Sequence, residues 1–356
     1  MYTQLDLSNF RCFKKFTMDL KPLTLISGYN NTGKSSILDS FLLFQDYANP
    51  EVFLKLLGFR GVRNVELSPR SLWEPLFHNM DTINPIEIRI NKDDFLRLEK
   101  NNKYTLSKGS ASLINSKTFF SSVNYALSCD FQRKEKRFTG DYLLGNENIS
   151  GNLVLLSRDN AAICANDEYI QYIGPHISLD DITVADWFGN LELTQGKTEK
   201  QKLIEILSIL DNSITDITTI AAGGLVQLYF TNKQEIKLPF HIMGDGIKKL
   251  LHIALVLRTK PGCILLLDEV ENGLHYSLYS KFWEILSTLA ILENSQIIAT
   301  THSYECIAGA LEGVTAAKQE ENFAYVRLDK NDNIVTPKKF SSNMLKRAID
   351  SDWEVR

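Results

Sequence analysis

Apolar and polar positions along the 356-residue chain change their spacing several times, and each change marks an element. Near the N-terminus, YTQLDLSNF alternates apolar with polar residues, the period-2 pattern of a half-buried strand. FTMDLKPLTLISG predicts two further short strands, and SSILDSFLLFQDYA, from Ser35, spaces its apolar residues along one helical face. From about 76 to 157, EIRI, YTLS, SVNYALSCDF and NLVLLS read as strands of an antiparallel meander, separated by Asn, Lys and Gly. From about 176 to 212 the pattern is helical, with Leu203, Ile206, Leu207 and Leu210 on one face. Past Gly223-Gly224, LVQLYF and EIKLPF predict a hairpin. GIKKLLHIALVL then predicts a helix, CILLLDEV a buried strand, YSLYSKFWEILSTLA a helix and QIIATTHS a second buried strand. A late strand, AYVRLDK, and a short helix around MLKRAID close the chain.

Continuous apolar strands alternating with helices predict a parallel sheet covered on both faces, hence an α/β fold. The expected organisation is one domain, 1–356, with an N-terminal core at 1–75 and a C-terminal core at 226–356. An antiparallel β insertion at 76–175 and a helical insertion at 176–225 separate them. There is no internal repeat and no low-complexity segment.

Composition narrows the function classes. At 44% hydrophobic and 23% charged the chain is globular rather than disordered. A net charge of -4 removes any global basic signal for nucleic acid and leaves only local patches. The densest is RKEKR, Arg133–Arg137, which either lines a groove or forms a charged hairpin tip. The five cysteines, Cys12, Cys129, Cys164, Cys263 and Cys306, are scattered without a CxxC pair, which argues against a disulfide framework or a zinc site. The N-terminus lacks the apolar core of a signal peptide, and no apolar run approaches the ~20 residues of a membrane span. A soluble cytoplasmic protein is expected.

Two segments carry chemistry. In LISGYNNTGKSS, Gly28 is followed after four residues by Gly33-Lys34-Ser35. Glycines at those positions let the backbone curl around phosphate and present its N–H groups, Lys34 can reach β- and γ-phosphates, and Ser35 can hold Mg²⁺. The loop follows a strand and opens a helix, whose N-terminus adds positive potential. In CILLLDEVENGLH, a buried strand ends in Asp268, Glu269 and Glu271. Phosphoryl transfer needs a metal-holding carboxylate and a group that positions water, and Asp268 and Glu269 suit those two tasks. Glu271 reads as solvated or structural. His302 follows the next apolar strand, a single crossover unit (one helix and one strand) beyond Asp268. Right-handed crossover would bring both strand ends to the same side of the sheet, within reach of a γ-phosphate.

LSNFRCFKKFTMDL with PLTLISGYNNTGKSSIL is similar to the N-terminal region of RecF-like proteins, and IMGDGIKKLLHIALVL, LLLDEVENGLHYSL and ATTHSYECI resemble bacterial AAA-type ATPases related to the overcoming-lysogenisation-defect (OLD) family. Together they resemble an ABC-type ATPase of the RecF/SMC branch over nearly the whole chain. The resemblance implies a P-loop ATPase head that uses ATP and Mg²⁺. Gly28, Asn31, Gly33, Lys34, Ser35 and Ser36 would form the Walker A loop. Asp268 would sit near Mg²⁺ with Ser35, Glu269 would be the catalytic base and His302 the switch histidine. The segment 271–275, with Asn272, occupies the D-loop. Gly244 and Gly246 sit at the signature position, which in this family caps the nucleotide of the second subunit in a head-to-tail homodimer. The family's signature usually has a serine where this chain has Gly244, so the contact is either through backbone or replaced by a plain helix cap. Gln45 and Gln132 are the two candidates for the glutamine loop, and Arg11 is either near the nucleotide or on the surface. No long coiled coil is encoded, and the short stretch after His302 leaves no room for a TOPRIM nuclease domain.

Two functions compete. One is an ATPase switch whose ATP-driven dimerisation regulates a separate effector, a nuclease or toxin in anti-phage defence. The other is a RecF-like, ATP-gated DNA-binding protein in DNA repair. A transporter subunit is disfavoured by the NFRCF start.

Overall fold

A computed structural model describes residues 1–62, 64–65, 67–101, 125–144, 153–158, 168–175, 181–195, 197–222, 224–332, 334–351 and 353–356. The predicted strand YTLS, Gly223 and Cys164 lie outside these residues.

The centre is a six-stranded sheet. Its strands are β3 (Leu23–Gly28), β9 (Ile170–Ile173), β13 (Ile264–Leu267), β14 (Gln296–Thr300), β15 (Phe323–Asn331) and β16 (Ile334–Phe340). Their order is β16-β15-β3-β14-β13-β9, parallel except for the edge strand β16. The central strands are apolar because both faces are covered. On β13, Leu265 and Leu267 join one core while Ile264 and Leu266 join the other. On β14, Ile297 and Ala299 face the first core and Ile298 the second.

The second core lies under α1 (Lys34–Gln45) and a seven-stranded antiparallel sheet. That sheet comprises β1 (Gln4–Phe10), β2 (Phe13–Asp19), β4 (Ile86–Ile90), β5 (Asp94–Asn101), β6 (Tyr125–Arg133), β7 (Lys136–Leu144) and β8 (Leu153–Ser157), in the order β2-β1-β4-β5-β6-β7-β8. Two short helices, α2 (Val52–Gly58) and α3 (Pro69–Leu72), follow α1. The first core is closed by α4 (Asp181–Gln195), α5 (Lys197–Ser208), α6 (Asp245–Thr259), α7 (Tyr279–Leu292), α8 (Tyr304–Ala316) and α9 (Ser342–Asp350). A small sheet of β10 (Ile214–Ala222), β11 (Leu225–Asn232) and β12 (Lys237–Pro239) packs there too.

Three segment boundaries differ from expectation. Residues 1–75 give β1 and β2 to the antiparallel sheet and only β3 to the parallel one. The span 76–175 ends in β9, a parallel-sheet strand whose Tyr172 and Ile173 are buried. The span 176–225 is helical only to Ser208, because the β-branched run ITDITTIAA forms β10 and pairs with β11.

Candidate active site

Register aligns three loops at one sheet edge. Parallel pairing of β3 with β14, and of β14 with β13, brings the segments after Gly28, Thr300 and Leu267 to the carboxyl end together. These are the loops that carry Lys34, His302 and Asp268, and this edge is where open α/β sheets collect ligands.

The phosphate loop is built on left-handed backbone. Gly28 has φ 140°, Asn31 63° and Gly33 95°. Asn tolerates this region and Gly favours it. At Gly33 there is a second reason: a Cβ would lie 2.3 Å from Cys12 Sγ and 2.6 Å from the Phe13 ring. Gly33 is also the N-cap of α1, so no side chain covers that helix terminus and its N–H groups remain for an anion. Lys34 Nζ donates to the carbonyls of Gly28 at 2.6 Å and Tyr29 at 3.1 Å. Burial lowers its pKa, against the pull of Glu271, Asp268 and Glu269. Ser36 lies beside it in the first turn, half-buried.

Asp268 is the hub of the site. It is 3% exposed, and its Oδ1 accepts from Ser35 Oγ at 3.0 Å and Thr300 Oγ1 at 2.5 Å. Its Oδ2 accepts from the Tyr172 hydroxyl at 3.0 Å and lies 3.7 Å from Arg60. Burial and the Asp268 charge raise the Tyr172 pKa, which keeps the phenol a donor. Ser35 and Asp268 present hard oxygens side by side, the donor type Mg²⁺ takes. Among the described residues no group of three or more His, Cys, Asp or Glu is placed to hold a metal ion. A Ser–Asp pair suits Mg²⁺ shared with nucleotide phosphates and water, not an all-protein cage.

Glu269 leaves the strand line through a φ of 48°. Its N–H donates to Thr300 Oγ1 at 2.9 Å, and the Asn272 amide donates to its Oε2 at 2.7 Å. Asn272 is thus engaged with the carboxylate in its own chain. Glu271 is buried, not solvated: its Oε1 accepts from the His302 N–H at 2.8 Å and lies 2.9 Å from His302 Nδ1. That pairing fixes the imidazole while the side chain stays 53% exposed.

Gly244 is the N-cap of α6, again without a side-chain cap, and a Cβ there would meet open space. A Cβ on Gly246 would lie 2.9 Å from Leu274 and 3.0 Å from the Gly273 carbonyl, so the start of α6 packs on the 271–275 loop. Lys249, one turn on, donates to the carbonyls of Glu269 at 3.2 Å, Val270 at 2.9 Å and Asn272 at 3.2 Å. Burial lowers its pKa to about 8.

Other candidates lie elsewhere. Gln45 Nε2 bonds the Glu168 carbonyl, and Gln132 pairs with Arg137 across the β6–β7 ladder. Arg11 is half-buried and pairs at 3.0 Å with Asp39 of α1, which also holds Arg60 at 2.6 Å, the arginine that lies 3.7 Å from Asp268. In the basic cluster, Arg133 is buried against Glu168 and Asp94, Arg137 pairs with Asp130, and Lys134 turns the hairpin at φ 52°. Sequence reading passed over Thr300, Tyr172, Arg60 and Lys249. Only Thr300, beside His302 at the end of an apolar run, carried a local signal.

A phosphate loop at the carboxyl end of a parallel sheet, facing a buried strand-end carboxylate, defines a P-loop ATPase. The chain belongs to the family described as AAA domain, putative AbiEii toxin, Type IV TA system, whose model matches residues 23–308. A Helicobacter pylori protein described as an ATP/GTP phosphatase is 24% identical over 385 residues, covering 99% of each chain. In fold the chain is similar to an Smc head bound to the C-winged helix domain of ScpA, with TM-score 0.53 and 15% identity over 98% of this chain and 99% of that one. It is also similar to an Smc head with extended coiled coil bound to the C-terminal domain of ScpA, derived from Pyrococcus furiosus, with TM-score 0.51, 13% identity and 99% of each chain covered. The AAA family and the Helicobacter pylori relative support ATP hydrolysis at a general level, and among the described residues no helix is long and apolar enough to cross a membrane.

Proposed function

We propose that this ATPase closes as a head-to-tail homodimer over two ATP molecules, and that hydrolysis reopens it to regulate a separate protein effector, a toxin or nuclease in anti-phage defence. The observation that carries the catalytic reading is the contact of Ser35 Oγ with Asp268 Oδ1 at 3.0 Å, between segments far apart in the chain. Gly28, Asn31, Gly33, Lys34 and Ser36 would cradle the phosphates through N–H groups and the ammonium. Ser35 and Asp268 would hold Mg²⁺, which neutralises charge on the β- and γ-oxygens when bound. Glu269, aimed by Asn272 and Thr300, would take a proton from water, and His302, fixed by Glu271, would donate to the γ-phosphate region. Gly244 and Gly246 would offer an uncapped helix terminus to the partner subunit's nucleotide.

The family description names a toxin–antitoxin system, and the Smc heads are bound by partner domains, which supports a protein effector. A DNA groove is less favoured, because Arg133 and Arg137 are already paired with acids. Glu269→Gln tests the reading. ATP affinity should persist, turnover should fall by about 10²- to 10⁴-fold, and ATP should trap a dimer in size-exclusion chromatography. Wild-type turnover in that variant would remove Glu269 as the base, and a monomer with ATP would remove the closure.

A further inference from the structure

Lys249 has no role in the reading above, yet all of its donors are spent on one turn. It projects from α6, whose first residues, Gly244 and Gly246, sit at the surface proposed to meet the second subunit's nucleotide. Its ammonium bonds three main-chain carbonyls, those of Glu269, Val270 and Asn272. Those residues include the carboxylate proposed as base and the amide that orients it at 2.7 Å. An ammonium carries three N–H donors, so three carbonyls saturate it. The turn has main-chain bonds of its own, from the Asn272 N–H to the Glu269 carbonyl at 3.0 Å and from the Leu274 N–H to the Glu271 carbonyl at 3.1 Å. Neither bond engages the Val270 or Asn272 carbonyl, which Lys249 takes, and Glu269 sits at φ 48°, a region that costs a residue with a side chain and is held by its surroundings. On the other flank Gly273 and Leu274 press against Asp245 and Gly246 at the head of the same helix. α6 and the 269–274 turn are therefore joined at two points, one polar and one steric.

We propose that Lys249 is a positioning residue for ATP hydrolysis, tying the Glu269–Asn272 turn to α6 so that the placement of the Glu269 carboxylate follows the placement of that helix. The inference rests on the assignment of Glu269 as the base. Lys249 acts through the turn rather than on nucleotide or water.

The test compares Lys249→Met, Lys249→Gln, Glu269→Gln and the double variant Lys249→Met/Glu269→Gln in the full chain. Steady-state turnover, ATP KM and ATP-binding stoichiometry are measured for each. Lys249→Met is nearly isosteric and has no donors. It should lower kcat by about 100-fold, the scale expected for an angstrom-level misplacement, with KM within twofold and full stoichiometry. Lys249→Gln retains a neutral amide donor and should fall between Met and wild type, and it keeps the series readable if Met unfolds the chain. In the Glu269→Gln background, Lys249→Met should add no further loss. A wild-type kcat in either folded Lys249 variant overturns the inference. So does a loss of kcat matched by an equal loss of ATP-binding stoichiometry, since that is what a purely structural role produces. Wild-type turnover in Glu269→Gln would instead overturn the base assignment.

Discussion

Gly33 shows how much one position can carry. Its φ of 95° strains any side chain by about 1–2 kcal/mol, and a Cβ would collide with Cys12, between β1 and β2, and with Phe13 at the start of β2. Overpacking of this kind costs about 1–3 kcal/mol more. Gly33→Ala should therefore lower the unfolding free energy by roughly 2–5 kcal/mol and weaken ATP binding. Urea unfolding and nucleotide titration would check both, and an unchanged midpoint would contradict the contact. The phosphate loop was legible because its glycines and Lys34 act through local backbone. Glu271, Tyr172 and Arg60 were not, since each is an ordinary residue locally and acquires a role only from contacts across the fold.

At the scale of elements, apolar runs identified β3, β13 and β14, because strands buried on both faces carry mostly apolar residues and their buried polar ones, such as Thr24 and Thr300, are few. The strands passed over have half-exposed or charged sequences. β16, IVTPKKF, contains Pro337 and two lysines, which suit an edge strand and resemble a turn when read linearly. Among the helices, α6 carries an acid-sensitive group. His252 is buried with its ring 5.8 Å from that of Trp187, and its Nε2 has no hydrogen-bond partner among the described residues. Burial lowers its pKa to about 3. In the unfolded chain it titrates near 6.5, so below that pH the unfolded state takes up a proton that the folded state refuses. This group leaves stability unchanged above about pH 6.5 and lowers it progressively as pH falls from there toward pH 3. His252→Leu should shrink the loss between pH 7 and pH 5 by about 2 kcal/mol in urea unfolding. An unchanged pH dependence would mean that other groups dominate acid lability.

For the whole molecule, the two large sheets are interleaved through the N-terminal segment that ends at Gly28. β1 and β2 enter the antiparallel sheet, and β3 then enters the parallel one. No linear reading could foresee this, because β3 lies between β14 and β15, which come from the opposite end of the chain. Gln296, 1% exposed at the start of β14, stitches the two layers. Its Oε1 accepts from the Tyr2 N–H at 2.8 Å, and its Nε2 donates to the carbonyls of Tyr2 at 2.8 Å and Lys21 at 3.0 Å. Gln296→Ala strips the partner from the Tyr2 N–H and from the Tyr2 carbonyl in a fully buried contact, each costing about 1–3 kcal/mol when left unsatisfied, while the Lys21 carbonyl keeps its bond from Thr24 Oγ1. A fall of at least roughly 2 kcal/mol in unfolding free energy is expected. Because the sheets share strands from one continuous segment, the wild type should unfold in one urea transition, and Gln296→Ala should shift its midpoint without changing its slope. A variant that unfolds in two steps would show that the sheets are separable and that Gln296 was the tie between them. A single shifted transition would place the phosphate loop, at the end of the segment that enters both layers, inside one cooperative unit with the strand ends that face it.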